Sequence, residues 1–350
     1  MIRMSAAQLH YPVLITGSNG FIGTRVVKTL LDFGFTDLRC FVRPSSRIES
    51  LRAILASAPS GTRAQLITGD LLSREDCTRA AEGVSIVYHL AAGFDRSFAG
   101  AFMNSALATR NLMDAVLAVG HCVRFVDVSS FAVYSNIRMR RGALLDENAP
   151  LEDSPAERYD PYGFGKRKQE DLVREYGQRF QLPFVILRPG VVFGPGKRDL
   201  SGRVGANTFG FLLHVGGANV LPLTYVDNCA EAIVLAGLRE GIEGETFNIV
   251  DDELLTSSQM LRAYKKRVKG LVSIRLPYPL AYGLCALWEK YARWTKGQLP
   301  PVFNRRRCAA EWKGNRYTNA KARDLLGWTP RVPMKEALAN FLAQFDRPVA

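Results

Sequence analysis

Residues 13–23 read VLITGSNGFIG, and the reading of this stretch decides the fold. The run VLIT (13–16) is short, apolar and β-branched, the pattern of a strand buried on both faces. Glycines then recur at 17, 20 and 23, with Phe21 and Ile22 before the last, and a helical pattern covers 21–33. A strand turning sharply into a helix needs glycine for a tight turn, for ligand approach to the backbone, and for close helix–strand packing. The free N–H groups at the start of that helix, with the positive end of its dipole, favour an anion such as a pyrophosphate. A glycine triplet alone is only a turn. Its strand–loop–helix setting makes Gly17, Gly20 and Gly23 a dinucleotide site.

Outward from this loop, apolar runs alternate with amphipathic ones. LRCFV (38–42), AQLIT (64–68), SIVYHL (85–90), VRFVDVSS (123–130) and FVILRP (184–189) read as strands. Residues 21–33, about 46–57, 74–82 and 98–119 carry helical periodicity between them. Such alternation indicates parallel β-α-β units and hence an α/β class: a doubly wound parallel Rossmann-like sheet. A further helix opens at Pro161, with Asp160 as N-cap and Leu172, Val173, Tyr176 and Phe180 as its buried stripe. Beyond residue 190 the pattern loosens into GPGKRDLSGRVGAN (194–207), helices and short strands. The expected organisation is a nucleotide-binding domain over 1–190, to which segments around 220–250 return. Residues 191–350 would form mainly a smaller C-terminal substrate lobe.

Composition bounds the partners. Of 350 residues, 47% are hydrophobic and 23% charged, which is ordinary for a globular protein and argues against disorder. The 46 Lys and Arg against 33 Asp and Glu leave a net charge of +13, which favours anionic partners. No RNA-binding or zinc-finger pattern accompanies it, so a nucleic-acid partner is not expected. Cys40, Cys77, Cys122, Cys229, Cys285 and Cys308 stand singly, without C-x-x-C or a histidine at ligand spacing. Neither a metal site nor a disulfide framework is therefore expected, and a reducing cytoplasmic setting fits best. The stretch MIRMSAAQLHYP (1–12) lacks the apolar core of a secretory leader, and no apolar run approaches the ~20 residues that span a bilayer.

The second strand runs into CFVRPSSRIES (40–50), with Arg43, Ser45, Ser46 and Arg47 before the first acid, Glu49. A carboxylate at this point binds two ribose hydroxyls, whereas arginines accommodate a 2′-phosphate, so NADP is the expected cofactor and NAD the alternative. Farther on, Tyr162 and Lys166 lie one turn apart on one face of the helix that starts at Pro161.

ITGDLL (67–72) carries Asp70 and Leu71 after the third strand, YHLAAG (88–93) carries His89, Ala91 and Ala92, and SSFAVY (129–134) carries Ser129 and Ser130. With Tyr162 and Lys166, this series resembles the extended short-chain dehydrogenase/reductase superfamily, in its NAD(P)-dependent epimerase/dehydratase group. The branch acting on 3β-hydroxysteroids lies within the same resemblance. The similarity continues through LRPGVVFGPG (187–196), YVDN (225–228), FNIVDD (247–252) and KARDLLGWTP (321–330). It implies Tyr162 as acid/base, Lys166 on the nicotinamide ribose and Ser130 hydrogen-bonded to the reacting oxygen. It also implies Asp70 and Leu71 along the adenine, Ala91 and Ala92 lining the cofactor, and Asn104 supporting the site. The chemistry is coherent. A tyrosine ordinarily titrates near ~10, and a neighbouring ammonium with an oxidised nicotinamide favours its phenolate. His89, at a strand end, reads as structural; His10, His121 and His214 are isolated, and LLDENAP (144–150) reads as a loop.

A dehydrogenase or reductase that exchanges its cofactor each turnover is the first reading. An epimerase that retains it is the alternative. A dinucleotide-sensing protein has no need of Ser130, Tyr162 and Lys166, and SSFAVY lacks the acid/base set of a dehydratase. For the small-molecule substrate, Lys197, Arg198, Arg203 and Arg305–Arg307 suit the diphosphate of a nucleotide sugar. A sterol, a lipid or another carbonyl compound is the alternative. In LPYPLAYGLCALWEKYARW (276–294), Trp288, Tyr291 and Trp294 stand beside Lys290 and Arg293, which also suits an interfacial helix. The expectation is instead a lobe helix with both tryptophans largely buried and one face walling the substrate pocket, and a homodimer without membrane contact.

Overall fold

Strands that bury both faces are mostly apolar, and the runs singled out above are. In the computed structural model, which describes residues 9–208, 210–268, 270–296 and 298–346, they join one parallel sheet. Its strands are β1 (Val13–Thr16), β2 (Asp37–Val42), β3 (Arg63–Thr68), β4 (Ile86–His89), β5 (Arg124–Val128), β6 (Phe184–Pro189) and β7 (Thr246–Ile249). Their spatial order is β7-β6-β5-β4-β1-β2-β3. The chain winds one way from β1 through β2 to β3, then crosses back to β4 on the other side of β1. Val13 thus pairs with Leu38 on one side and Ile86 on the other. A crevice opens at such a reversal, beyond the carboxyl ends of the strands. Most of the N-terminal stretch discussed above, residues 1–8, lies outside the described residues.

Helices cover both faces. The helix Gly23–Asp32 packs with the almost wholly buried Val226–Leu238 helix on one side, and the same core takes in Trp328 and Phe341 from the C-terminal region. On the other side Leu112, Met113, Val173 and Tyr176 pack against Leu14, Val87 and Phe125 of the sheet. The segment expected as one helix over 98–119 has three parts: Phe98–Ala101, a π-helical Phe102–Leu107, and Ala108–Val119. The helix at Pro161 runs to Phe180, with Asp160 Oδ1 accepting from the Gly163 N–H at 3.1 Å as its cap. Its stripe falls short by one residue. Phe180 is 47% exposed at the helix end, with Tyr176 and the Arg179 guanidinium against its ring.

After β6 the chain builds a three-stranded sheet in which Phe211–His214 lies between Ala206–Thr208 and Ser273–Arg275. The helix Ser257–Arg267 opens with a capping box of Thr256 and Gln259. The helices Tyr278–Trp294 and Arg305–Trp312 pack on one another through Ala281, Cys285, Cys308 and Trp312. Here the structure corrects the sequence-based expectation. Trp288 is half-buried and Trp294 is 76% exposed, because the buried side of this helix is made of small residues and the bulky ones face away. No residue of 276–294 lines the cleft described next. Among the described residues, no helix is long and apolar enough to cross a membrane.

Candidate active site

The glycine loop is shaped by two close approaches. Gly17 has φ +67°, and a Cβ there would lie 2.9 Å from the Ala91 nitrogen. A Cβ on Gly23 would lie 2.0 Å from the Gly17 carbonyl oxygen, so the helix can start this near the loop only with glycine. The Gly20 N–H donates to that same oxygen at 3.0 Å. No side chain caps the helix at Ile22, and Gly20, Phe21, Ile22 and Gly23 all face the cleft. A bare helix start over a glycine cradle fits a dinucleotide pyrophosphate. Ser18 Oγ donates to the Phe41 carbonyl (3.1 Å) and Asn19 Nδ2 to the Arg47 carbonyl (3.3 Å), tying the loop to the end of β2.

The cleft measures about 840 Å³. Its lining includes Arg43, Ser46, Asp70 and Leu71, Ala91 and Ala92, and Ser130, Tyr162 and Lys166. All the catalytic and cofactor residues selected from the sequence line this cleft except one. Arg47 is exposed and off the cleft, because the tight turn closed by Ser46 N–H to Arg43 O (3.0 Å) returns Ser46 to the wall and carries Arg47 outward. Asp70 Oδ1 accepts from the Leu72 N–H at 2.9 Å, and the Leu71 carbonyl accepts from Asn111 at 3.0 Å, which holds this wall in place. Asn104, on the π-helical turn, lines the cleft and donates to Asp95 Oδ2 at 2.8 Å.

Ser130 follows β5 and caps the short turn Phe131–Val133, its Oγ accepting from the Ala132 N–H at 3.2 Å. The same hydroxyl lies near enough to Tyr162 to favour its phenolate. Burial pushes the Tyr162 phenol up to about 12; the nearby Ser130 hydroxyl opposes this, and the charges of Asp160 and Asp127 add to it. Tyr162 is therefore a protonated acid at neutral pH unless positive charge arrives beside it. Phe94 stacks on its ring at 4.7 Å with an interplanar angle of 4°. Lys166 is buried, and its Nζ donates to the Val128 carbonyl (2.7 Å) and to Gln169 Oε1 (3.2 Å). That leaves one of the three ammonium donors for the cleft. Burial lowers the Lys166 pKa, and the charges of Asp127 and Glu170 oppose the shift.

Behind these groups lies a polar network that the sequence-based reading missed. Glu170 accepts from Arg188 Nε (2.9 Å) and Nη2 (2.6 Å) and from Ser129 Oγ (2.5 Å). Arg188 also donates to the Tyr134 hydroxyl (2.9 Å), which donates to Asn248 Oδ1 (2.6 Å). Asp127, fully buried, accepts from Gln169 Nε2 at 2.5 Å, and burial raises it to about 6 against the pull of Lys166. A signal was available. Arg188 inside FVILRP and Asp127 inside RFVDV are charged residues in buried strands, and such charges require partners. Phe94 gives no comparable sign. His89 bridges Thr16 and Thr109 through its two ring nitrogens, each at 2.8 Å, and burial, reinforced by Lys166, lowers it to about 3. It is a neutral structural group, as its strand position suggested.

The basic residues expected to hold a diphosphate are dispersed. Arg305 pairs with Glu289 (2.8 Å), Arg306 with Glu152 (2.7 Å) and Asp153 (2.8 Å), and Arg198 lies over the Phe345 ring. Only Lys197, Arg203 and Arg307 of this set line the cleft, and Arg203 donates to the Ala310 carbonyl at 2.9 Å.

Comparison with known proteins agrees with this arrangement. The chain is 25% identical to 3beta-hydroxysteroid-dehydrogenase/decarboxylase isoform 1 of Arabidopsis thaliana, over 95% of this chain and 79% of that protein. It is 27% identical to the decarboxylating sterol-4-alpha-carboxylate 3-dehydrogenase ERG26 of Saccharomyces cerevisiae, over 95% of this chain and 97% of that one. Among solved structures, the UDP-glucuronic acid 4-epimerase of Bacillus cereus, in complex with UDP-glucuronic acid and NAD, superposes with a TM-score of 0.71 at 22% identity. That match covers 96% of this chain and 99% of the other, and it shows a shared fold. The model of the NAD dependent epimerase/dehydratase family matches residues 13–250, and the chain belongs to that family of enzymes.

Proposed function

We propose that this enzyme oxidises or reduces a C–OH/C=O centre of a hydrophobic, sterol- or lipid-like substrate, using NADP(H) that is exchanged in each turnover. Ala91 and Ala92 would line the site of a nicotinamide, which would supply or accept the hydride. Tyr162 holds the proton at the reacting oxygen: it donates during reduction and, as phenolate, accepts during oxidation. Ser130 hydrogen-bonds that oxygen and keeps it within reach of the phenol. Lys166 binds the ribose with its remaining N–H, and its ammonium, one turn from Tyr162, favours the phenolate when oxidation requires it. The observation that carries this reading is the meeting of Ser130, Tyr162 and the buried Lys166 on one cleft, with Lys166 one helical turn from Tyr162.

Arg43 and Ser46 on the cleft wall, with no acid at the end of β2, support the 2′-phosphate. The dispersal of Arg198, Arg305 and Arg306 into other contacts argues against a diphosphate clamp. The cleft lining also includes the apolar Leu200, Val204, Leu221 and Met260. Two relatives aligned along most of their length are named as sterol dehydrogenases, in line with such a lining. A nucleotide-sugar epimerase is the second reading, favoured by the exposed Arg307 at the cleft. The test supplies NADP⁺ with 3β-hydroxysterols and, separately, with UDP-hexoses, following absorbance at 340 nm and sugar configuration. Net NADPH formation with a sterol is expected. Sugar inversion without net NADPH would replace this reading by the second one.

A further inference from the structure

Leu280, Leu284, Leu287, Tyr291 and Trp294 follow one another at alternating steps of four and three residues, so they form a single stripe along the Tyr278–Trp294 helix. They are 54, 49, 65, 45 and 76% exposed. Ring contacts run from Trp294 to Tyr291 (5.8 Å), to Trp288 (6.1 Å) and to Phe303 (6.1 Å), which extends the apolar surface onto the following loop. The helix itself is firmly seated. Ala281, Cys285 and Ala292 are buried on its other side, and Trp288 Nε1 donates to the Pro300 carbonyl at 3.2 Å. A contiguous apolar face held rigidly in water marks a docking surface.

Charge selects what docks. Lys290, one turn from Trp294, is exposed, as are Arg293 and Lys296. Glu289, the single acid of this helix, is occupied by the Arg305 N–H (2.6 Å) and Nε (2.8 Å). A second copy laid along the stripe would bring Lys290 against like charge with no free acid to answer it. An anionic lipid surface meets the same residues with opposite charge. We propose that the Tyr278–Trp294 helix docks this enzyme flat on an anionic membrane surface. Its leucines enter the acyl boundary, Tyr291 and Trp294 lie at headgroup level, and Lys290 and Arg293 contact the lipid charge. The proposal does not depend on the substrate reading.

Co-sedimentation of the whole chain with phosphatidylcholine vesicles, with and without phosphatidylserine, tests it. Strong pelleting is expected only with phosphatidylserine, falling at least about fivefold in ~0.5 M salt. The double variant Leu287→Ser/Trp294→Ser should lower the partition by about tenfold or more, with melting unchanged because both side chains are exposed. Lys290→Glu/Arg293→Glu should remove the preference for anionic lipid. The proposal is overturned by an absence of pelleting or by pelleting indifferent to these variants. A dimer in sedimentation velocity that Leu287→Ser/Trp294→Ser dissociates would equally overturn it, since the stripe would then be covered by a second copy.

Discussion

Replacing Glu170 by alanine should unfold this protein several degrees early and loosen its active site together. Glu170 is fully buried and satisfies a guanidinium, Arg188, that is 1% exposed. Removing one member of such a pair strands a charge in the interior, at a cost of about 3–5 kcal/mol. Unfolding entropy of about 2.1 cal/mol/K per residue, over 350 residues, gives about 0.74 kcal/mol per degree, so Tm should fall by about 4–7 °C. The pH dependence has a definite sign. Burial alone would raise the Glu170 carboxyl, but the hydrogen bonds and charge of Arg188, then Ser129 and Arg174, hold it below its usual value. Its stabilisation is therefore complete above the unfolded value of about 4.3 and is lost as pH falls through the lower folded one. Differential scanning calorimetry at pH 7 and in acid reads both effects. The gap between wild type and Glu170→Ala should be full at pH 7 and close only below about pH 4. Adding Arg188→Met to Glu170→Ala should restore much of the loss, since no charge is then stranded. A fall under about 1 °C, or a double variant as unstable as the single, would refute the argument.

Other perturbations probe the cleft. Arg43→Ala should weaken NADPH about tenfold and leave NADH unchanged in fluorescence titrations, since it removes one charge-assisted contact at an exposed edge; equal affinities in the wild type would remove the case for NADP. Gly23→Ala should abolish binding of both dinucleotides by the same titration, because its Cβ would sit 2.0 Å from the Gly17 carbonyl oxygen. Lys166→Ala should reduce both cofactor affinity and turnover, and a loss confined to one of them would separate its two proposed roles.

The sheet was legible because its strands announce themselves locally. VLIT, LRCFV and FVILRP are mostly apolar, with a single arginine in each of the last two, and a parallel sheet covered on both faces favours that. Other features depend on what the chain meets in space. The sequence 276–294 shows two apolar sides at helical spacing, and periodicity cannot tell which one finds a neighbour. The small side, Ala281 and Cys285, met the Arg305–Trp312 helix, and the leucine side met water. Arg43 and Arg47 look equivalent in CFVRPSSRIES, and a single turn hydrogen bond separates them. The Tyr162–Lys166 pair follows from helical spacing alone. The Glu170–Arg188 pair needed the register that brings the helix at Pro161 onto β6.

The central claim is that the Tyr162 hydroxyl holds the reacting proton, and one paired measurement reaches it directly. Tyr162→Phe keeps the ring, and with it the stack on Phe94, while deleting the hydroxyl. Turnover and NADPH affinity are measured on the same preparation, once a sterol or sugar substrate is in hand. The account predicts turnover reduced by about 10²–10⁴-fold with the NADPH dissociation constant within about twofold of wild type. Turnover at the wild-type rate in Tyr162→Phe, with the cofactor still bound, would contradict it.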